Sequence, residues 1–407
     1  MGVERALNFD DLRALAERRL PRIVFDFIEG GCDDESGLQR NRDAFRKFRL
    51  MPRYLVDASR RDQGVTLFGR RYDSPFGICP MGLVGLAQPG TDLLLAKAAA
   101  EFNLPYLMSN ASNASIEQAA ALAPHNTWFQ IYMTVEDKIN RDLVRRARDL
   151  GLTTLVVTVD VPENSNRERN RRNGFSRPPK MSLPVLLDAA LHPGWVLRFL
   201  LSGRTPPMGN WDPYAAPGSE RLGGADLYGK YTPARQTDWK RLDEIRALWS
   251  GNLVLKGILS PADAQRAVAA GVNGIIVSNH GGRQLDMAPS PIEVLPWIKA
   301  AVGDRAELLL DSGVRRGADI VIALALGAKC ALFGRPWLYA SVAGRGAPGV
   351  SHAVAIMRRE VDIIMGQIGL AGLDHVPAAT VWAPDGPRVG PAGAPDRTSD
   401  RTPVSSA

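Results

Sequence analysis

Eight short apolar runs, each followed by a segment with helical spacing, constrain this chain more than any other feature. The runs are Pro75–Cys79, Pro105–Met108, Trp128–Tyr132, Thr154–Val159, Leu253–Leu255, Gly274–Val277, Glu307–Leu310 and Ala331–Phe333. Near-continuous apolar stretches of this length are expected of parallel strands covered on both faces. The intervening segments carry helix signals. Ser260-Pro261 reads as an N-cap and first helical residue, and Ser290-Pro291-Ile292-Glu293 has capping-box spacing. Thr91 to Phe102 and Glu136 to Leu150 have helical periodicity, and Gly327 fits a C-terminal stop. Eight such α/β units predict a (β/α)8 TIM barrel. A doubly wound open sheet is the alternative, but no GxGxxG follows the first run.

The spacing breaks once. About 90 residues separate the fourth and fifth runs, which predicts a long insertion after strand 4, at about 162–243. Within it, Val185–Leu191 and Trp195–Leu201 are apolar and amphipathic, with Asp188 and Arg198 interrupting and Pro193 breaking between them, which makes 181–211 a candidate membrane-interface segment. Residues 1–30 predict short helices outside the barrel. The single domain then covers 1–383, and the Pro-, Gly- and Ser-rich stretch 384–407 predicts a disordered tail.

Composition removes several classes. The 407 residues contain no apolar run of the ~20 needed to span a bilayer. Met1 to Leu20 is charged with both signs, unlike a secretory signal, so a cytoplasmic chain is expected. Cys32, Cys79 and Cys330 are scattered and form neither a metal spacing nor a disulfide framework. No metal is expected. Net charge is +7, but the basic residues are spread without aromatic interleaving, which argues against nucleic acid.

Barrel enzymes place their chemistry at the C-terminal ends of strands. Here those exits are polar: Ser109, Gln130 and Tyr132, Thr158 and Asp160 with Arg167 beyond, Lys256, then Ser278 to Arg283. The seventh exit reads "DSGVRRG" (Asp311 to Gly317) and the eighth "GRP" (Gly334 to Pro336). Phosphate sites in barrels form at these last two loops, where glycines expose N–H groups and arginine binds phosphate bidentately. Gly313, Arg315, Gly334 and Arg335 therefore read as a phosphate cradle. His280 suits proton transfer near neutral pH, and Asp160 would orient it across the barrel mouth. Arg283 suits a carboxylate. His125, His192, His352 and His375 read as structural or solvent-facing.

The stretch "SNHGGRQLD" (Ser278 to Asp286) resembles the active-site signature of the FMN-dependent L-2-hydroxy acid oxidising enzymes, and the likeness runs from about Phe9 to Leu373. It implies FMN as cofactor and two-electron oxidation of a small 2-hydroxy acid to the 2-keto acid. By position, Pro80, Met81 and Gly82 in "CPMG" would line the flavin. Ser109, Gln130, Thr158 and Ser278 would hydrogen-bond it. Lys256 would stabilise the negative charge of its reduced form. Asp311, Ser312, Gly313, Arg315, Gly334 and Arg335 would hold ribityl and phosphate. His280 would be the base, with Asp160 its partner. Both removal of the α-proton and removal of the hydroxyl proton alongside hydride transfer fit that role. Arg167 and Arg283 would clamp the substrate carboxylate, and Tyr132 would bond the substrate hydroxyl. The family often forms tetramers, so a homo-oligomer is expected.

Two departures stand out. The family's "YDY" pattern is Phe25-Asp26-Phe27 here, so Phe27 lacks a hydroxyl that helps to bind substrate. Met81 stands where threonine is common. Substrate is suggested by "ASNASIEQ" (Ala111 to Gln118), "RERN" (Arg167 to Asn170) and "LHPGW" (Leu191 to Trp195), which resemble the mandelate dehydrogenases of the family. Ala111 falls where short-chain oxidases carry a bulky aromatic. The resemblance implies (S)-mandelate or a substituted mandelate as substrate, a quinone-type acceptor, and peripheral contact of 181–211 with the inner face of the cell membrane. The alternative is an aliphatic acid such as L-lactate, with oxygen as acceptor.

Overall fold

All eight apolar runs form strands, and the strands close on themselves. The computed structural model describes residues 2–175, 182–203, 206–235 and 237–383. The expected disordered tail, 384–407, lies outside the described residues, as does 176–181 of the insertion. The barrel strands are β1 (Phe76–Ile78), β2 (Tyr106–Ser109), β3 (Thr127–Tyr132), β4 (Thr154–Thr158), β5 (Asn252–Ile258), β6 (Gly274–Val277), β7 (Glu307–Leu310) and β8 (Cys330–Phe333). They pair in parallel in chain order, and β8 returns to β1 through Leu332 opposite Gly77.

The strand parity decides what faces inward. Leu107, Trp128, Val156, Val254, Ile276, Leu309 and Leu332 form one buried cluster inside the barrel. Their neighbours Met108, Phe129, Val157, Leu255, Ile275, Leu310 and Phe333 belong to a second cluster beneath the helices. A hairpin, Val65–Leu67 with Arg70–Tyr72, plugs the N-terminal end. Phe68 stands edge-on to Trp128, whose Nε1 donates to Tyr72 Oη at 3.1 Å. Each large side chain so buried contributes about 1.5–3 kcal/mol by leaving water.

The helix signals hold. Ser260 accepts from Asp263 N, and the Glu293 carboxylate reaches back to accept from Ser290 N at 3.2 Å. Three helices precede the barrel: α1 (Phe9–Glu17), α2 (Arg22–Glu29) and α3 (Ser36–Asp43). They pack outside it as expected, but α2 and α3 also reach its mouth. The insertion carries Glu168–Arg172, Leu183–Ala190, Pro193–Leu201 and Glu220–Tyr231 as helices. Its expected end at 243 needs correction. Trp239–Leu248 is the barrel's own fourth helix, with Leu242 and Ile245 buried on the shell, so the insertion stops before Asp238.

Candidate active site

One step beyond the interior cluster, the same inward parity lands on polar residues. Leu107 gives way to Ser109, Trp128 to Gln130 and Tyr132, and Val156 to Thr158 and Asp160. Val254 gives way to Lys256, Ile276 to Ser278 and Leu309 to Asp311. Period-two alternation thus turns a packed core into a polar floor without any change of strand. Above it opens a cavity of about 580 Å³. Phe27, Pro80, Met81, Gly82, Ala111, Tyr132 and Arg167 line it, with Lys256, His280, Arg283, Asp311, Ser312, Gly313, Arg315, Gly334 and Arg335. Ser109, Gln130, Thr158 and Ser278 are buried in the floor. Every expected site residue but Asp160 lines the cavity or its floor, and Asp160 joins them through His280.

His280 Nδ1 lies 2.8 Å from Asp160 Oδ1, and its Nε2 lies 3.5 Å from Tyr132 Oη. The carboxylate fixes the tautomer with the proton on Nδ1, which leaves the Nε2 lone pair for a substrate. Burial holds His280 below its ordinary value, against the pull of Asp160, so the ring is neutral near pH 7. Burial works against the Asp160 charge, but His280 and Lys256 outweigh it and hold the carboxyl low. Burial, then Tyr228 and Asp160, raises Tyr132, which keeps its proton. The Lys256 ammonium is buried, donates to Ser278 Oγ at 2.8 Å and pairs with Asp311 Oδ2 at 3.0 Å. Burial opposes its charge, but Asp311 and then Asp160 raise its pKa.

The backbone after β6 explains the glycine pair. His280, Gly281 and Gly282 all have positive φ, at 58°, 67° and 71°. A Cβ on Gly282 would lie 3.0 Å from Leu38 N. The turn needs glycine, and His280 carries the strain of presenting its ring. Opposite it, β5 slips register between Lys256 and Ile258, and Gly257 has φ 108°. A Cβ there would lie 2.5 Å from Asp160 Cβ, so the bulge makes room for the carboxylate.

Arg283 Nη1 donates to the carbonyls of Phe27, Ile28 and Gly30, and Arg335 donates to Ile28, Gly30 and Gly281. Both satisfy the carbonyl end of α2 and draw that helix over the mouth. The Phe27 ring lies under the Arg283 guanidinium at 5.5 Å and stacks on Phe175 at 4.7 Å. Arg167 Nε donates to Ser165 Oγ at 3.0 Å. Sequence reasoning missed Phe175 and Tyr228, which come from the insertion, and Cys79, whose thiol donates to Asp311 at 3.5 Å. It also missed two residues of the signature itself. Asn279 exchanges amide hydrogen bonds with Asn41, and Asp286 accepts from Ser36 and Gly37 at the start of α3. His192 and His352 bond to backbone carbonyls and do not line the cavity.

The residues present fit FMN. The Gln130 side chain and Thr158 Oγ1 are buried with no hydrogen-bond partner among the described residues, which calls for a polar ligand at the floor. After β7, Gly313 has φ 96°, and a Cβ there would lie 2.2 Å from Asn41 O, so this loop needs glycine where it packs on the chain before the barrel. Gly334 caps the helix Arg335–Ala343, whose N-terminus favours an anion. Met81 packs its Sδ against Gly334, 3.2 Å from where a Cβ would stand, which accounts for its place in the wall. No group of metal ligands occurs among the described residues.

Comparison with known proteins agrees. A profile of the FMN-dependent dehydrogenases matches residues 16–383. The (S)-mandelate dehydrogenase of Pseudomonas putida is 42% identical over 90% of this chain and 91% of its own. An L-lactate dehydrogenase of Caulobacter sp. (strain K31) is 40% identical over 90% and 96%. The crystal structure of a monotopic membrane protein, (S)-mandelate dehydrogenase, superposes with a TM-score of 0.89 at 40% identity, covering 93% of this chain and all of that one. With this barrel, this His280–Asp160 pair and these relatives, the chain belongs to the family of FMN-dependent dehydrogenases, as a 2-hydroxy acid dehydrogenase.

Proposed function

We propose that the protein oxidises (S)-mandelate, or a ring-substituted mandelate, to the aryl glyoxylate at a membrane surface and passes the electrons to a quinone-type acceptor. The observation that carries the substrate is the cavity wall. Ala111 contributes only a methyl group, and Phe27, Phe175 and Tyr228 supply aromatic faces opposite the polar floor. Such a space suits an aryl ring, with Arg167 and Arg283 lining the same cavity to meet its carboxylate. Identities of 42% to a mandelate enzyme and 40% to a lactate enzyme do not separate the two acids. Lactate is therefore the second reading.

His280 Nε2 receives a proton from the bound acid, and Asp160 stabilises the imidazolium that forms. Tyr132, protonated and beside Nε2, donates to the substrate hydroxyl oxygen. Lys256 holds a fixed positive charge at the floor, where negative charge develops. FMN, when bound, accepts the two electrons.

Membrane contact is supported by the insertion. No single described helix is long and apolar enough to cross a bilayer, but Leu183–Ala190 and Pro193–Leu201 form a pair bent by 104°. Leu183, Leu187, Leu191, Leu197 and Leu201 are exposed on it, a patch that lies well in a bilayer interface. Steady-state turnover of (S)-mandelate against L-lactate tests the substrate; equal kcat/KM values would overturn the aryl preference. Replacing 183–201 with a short polar linker should release the protein from membranes and keep flavin reduction; persistent membrane binding would refute the contact.

A further inference from the structure

Met208, Asn210 and Trp211 belong to the insertion, yet they are as buried as the barrel core. A buried asparagine needs partners for its amide. Asn210 finds all of them on the loop after β2. Its Nδ2 donates to Ser109 O at 3.3 Å and to Ser112 Oγ at 3.1 Å, and its Oδ1 accepts from Ile116 N at 2.8 Å. Ser112 N also donates to Ser109 O, at 3.1 Å, which closes a turn with Ala111 as its third residue. One side chain of the insertion therefore grips both ends of the turn that presents Ala111 to the cavity. Gly209 permits the approach. A Cβ there would lie 2.5 Å from Ser115 N, and Gly209 N donates to Asn113 O at 3.2 Å.

The next residue reaches another part of the wall. The Trp211 ring stands edge-on to Tyr228, with centroids 5.3 Å apart and planes at 83°. Edge-to-face pairs of this kind hold a preferred geometry as well as burying area. Tyr228 lines the cavity, as Ala111 does, whereas Asn210 and Trp211 do not. The stretch is itself fixed to the barrel's shell. Arg146 Nη1 donates to Asn210 O at 3.1 Å, while its Nε and Nη2 donate to the two Glu117 oxygens at 2.8 and 2.9 Å.

Hydrophobic packing accounts for the burial of Trp211. It does not account for a buried amide whose every side-chain bond ends between Ser109 and Ile116. We propose that Asn210 and Trp211 are positioning residues for substrate choice: together they fix Ala111 and Tyr228 relative to one another and so set the width of the aryl space. The insertion then selects the substrate as well as extending the chain. This rests on the aryl reading proposed above. A hydroxy acid too small to reach both wall residues does not sense their separation; a phenyl ring does.

The test is steady-state turnover of (S)-mandelate and of L-lactate by the FMN-saturated full-length protein and three variants. Asn210→Ala removes both bonds to the Ala111 turn, and at about 1 kcal/mol each it should raise KM for (S)-mandelate on the order of tenfold. Ser112→Ala removes one acceptor from the same turn and should raise it several-fold, which keeps the test open if Asn210→Ala does not fold. Trp211→Phe gives up no hydrogen bond, since Trp211 Nε1 has no partner among the described residues, and should also raise it several-fold. KM for L-lactate, and kcat for both acids, should stay near the wild-type values, a split that general loss of stability would not produce. Equal rises of KM on both acids, or an unchanged KM for (S)-mandelate in the variants, overturns the positioning role while the wild-type preference for (S)-mandelate leaves the aryl reading standing. A wild-type protein with no preference for (S)-mandelate defeats the aryl reading and this inference together.

Discussion

His280 Nδ1 lies 2.8 Å from Asp160 Oδ1, although the two residues are 120 positions apart in the chain. They meet because β4 and β6 end at the same level of one closed barrel. The pair gives a neutral imidazole with a free Nε2 and a buried carboxylate ready for the imidazolium. His280→Gln should lower the rate of flavin reduction by substrate about 10²–10⁴-fold, the usual contribution of a positioned base. Anaerobic stopped-flow on the variant checks this, and a loss under tenfold would remove His280 from the role.

The pH profile follows from the same pair. The base must be neutral, so kcat/KM is full above the His280 pKa and is lost as pH falls through it. Burial holds that pKa below its ordinary value despite Asp160. The acidic limb should therefore lie below pH 6.5, the ordinary histidine value. Asp160→Asn removes the group that raises it. The limb should then move further down while the plateau rate falls. A limb that moves up would contradict the assignment.

Lys256 and Asp311 form a buried pair 3.0 Å apart, each 5% exposed at the side chain. Lys256→Met should destabilise the protein by about 3–5 kcal/mol, because it strands a buried carboxylate. Asp311→Asn added to it should restore a large part of the loss. Urea unfolding of the four proteins, all saturated with FMN, measures the coupling. Additive losses would mean that the pair does not act as a unit.

Ala111→Trp should fill the aryl side of the cavity, which Ala111 lines beside Gly82, 2.9 Å from where a Gly82 Cβ would stand. We expect kcat/KM to fall at least tenfold more for (S)-mandelate than for L-lactate, since a bulky ring meets no space there. Parallel losses on both acids would undermine the aryl reading.

Phe27→Tyr would place a hydroxyl where Phe27 now stacks on Phe175 under Arg283. It should lower KM by several-fold, with kcat less affected. An unchanged or raised KM would show that the phenyl ring is the better neighbour for this substrate.

Much of this was legible in the sequence for a physical reason. Buried parallel strands demand unbroken apolar runs, so β1 to β8 announced themselves, and the polar residues at their ends had to face the mouth. The signature after β6 gave His280 and Arg283 together. What it did not give were long-range partners. Asn279 finds Asn41 and Asp286 finds Ser36 only because α3 folds back across the barrel, and neither side alone carries a spacing signal. Phe175 and Tyr228 reach the cavity from an insertion whose path no periodicity fixes. Trp239–Leu248 was folded into that insertion because the barrel's fourth helix looks like its neighbours until Leu242 and Ile245 are seen against the shell.

The most direct measurement is anaerobic mixing of the purified flavoprotein with (S)-mandelate, and separately with L-lactate, while the visible absorbance of the flavin is followed. The account predicts fast bleaching by (S)-mandelate, at least tenfold slower bleaching by L-lactate, and near loss of both in His280→Gln. Bleaching by neither acid, or bleaching that His280→Gln leaves intact, would contradict it.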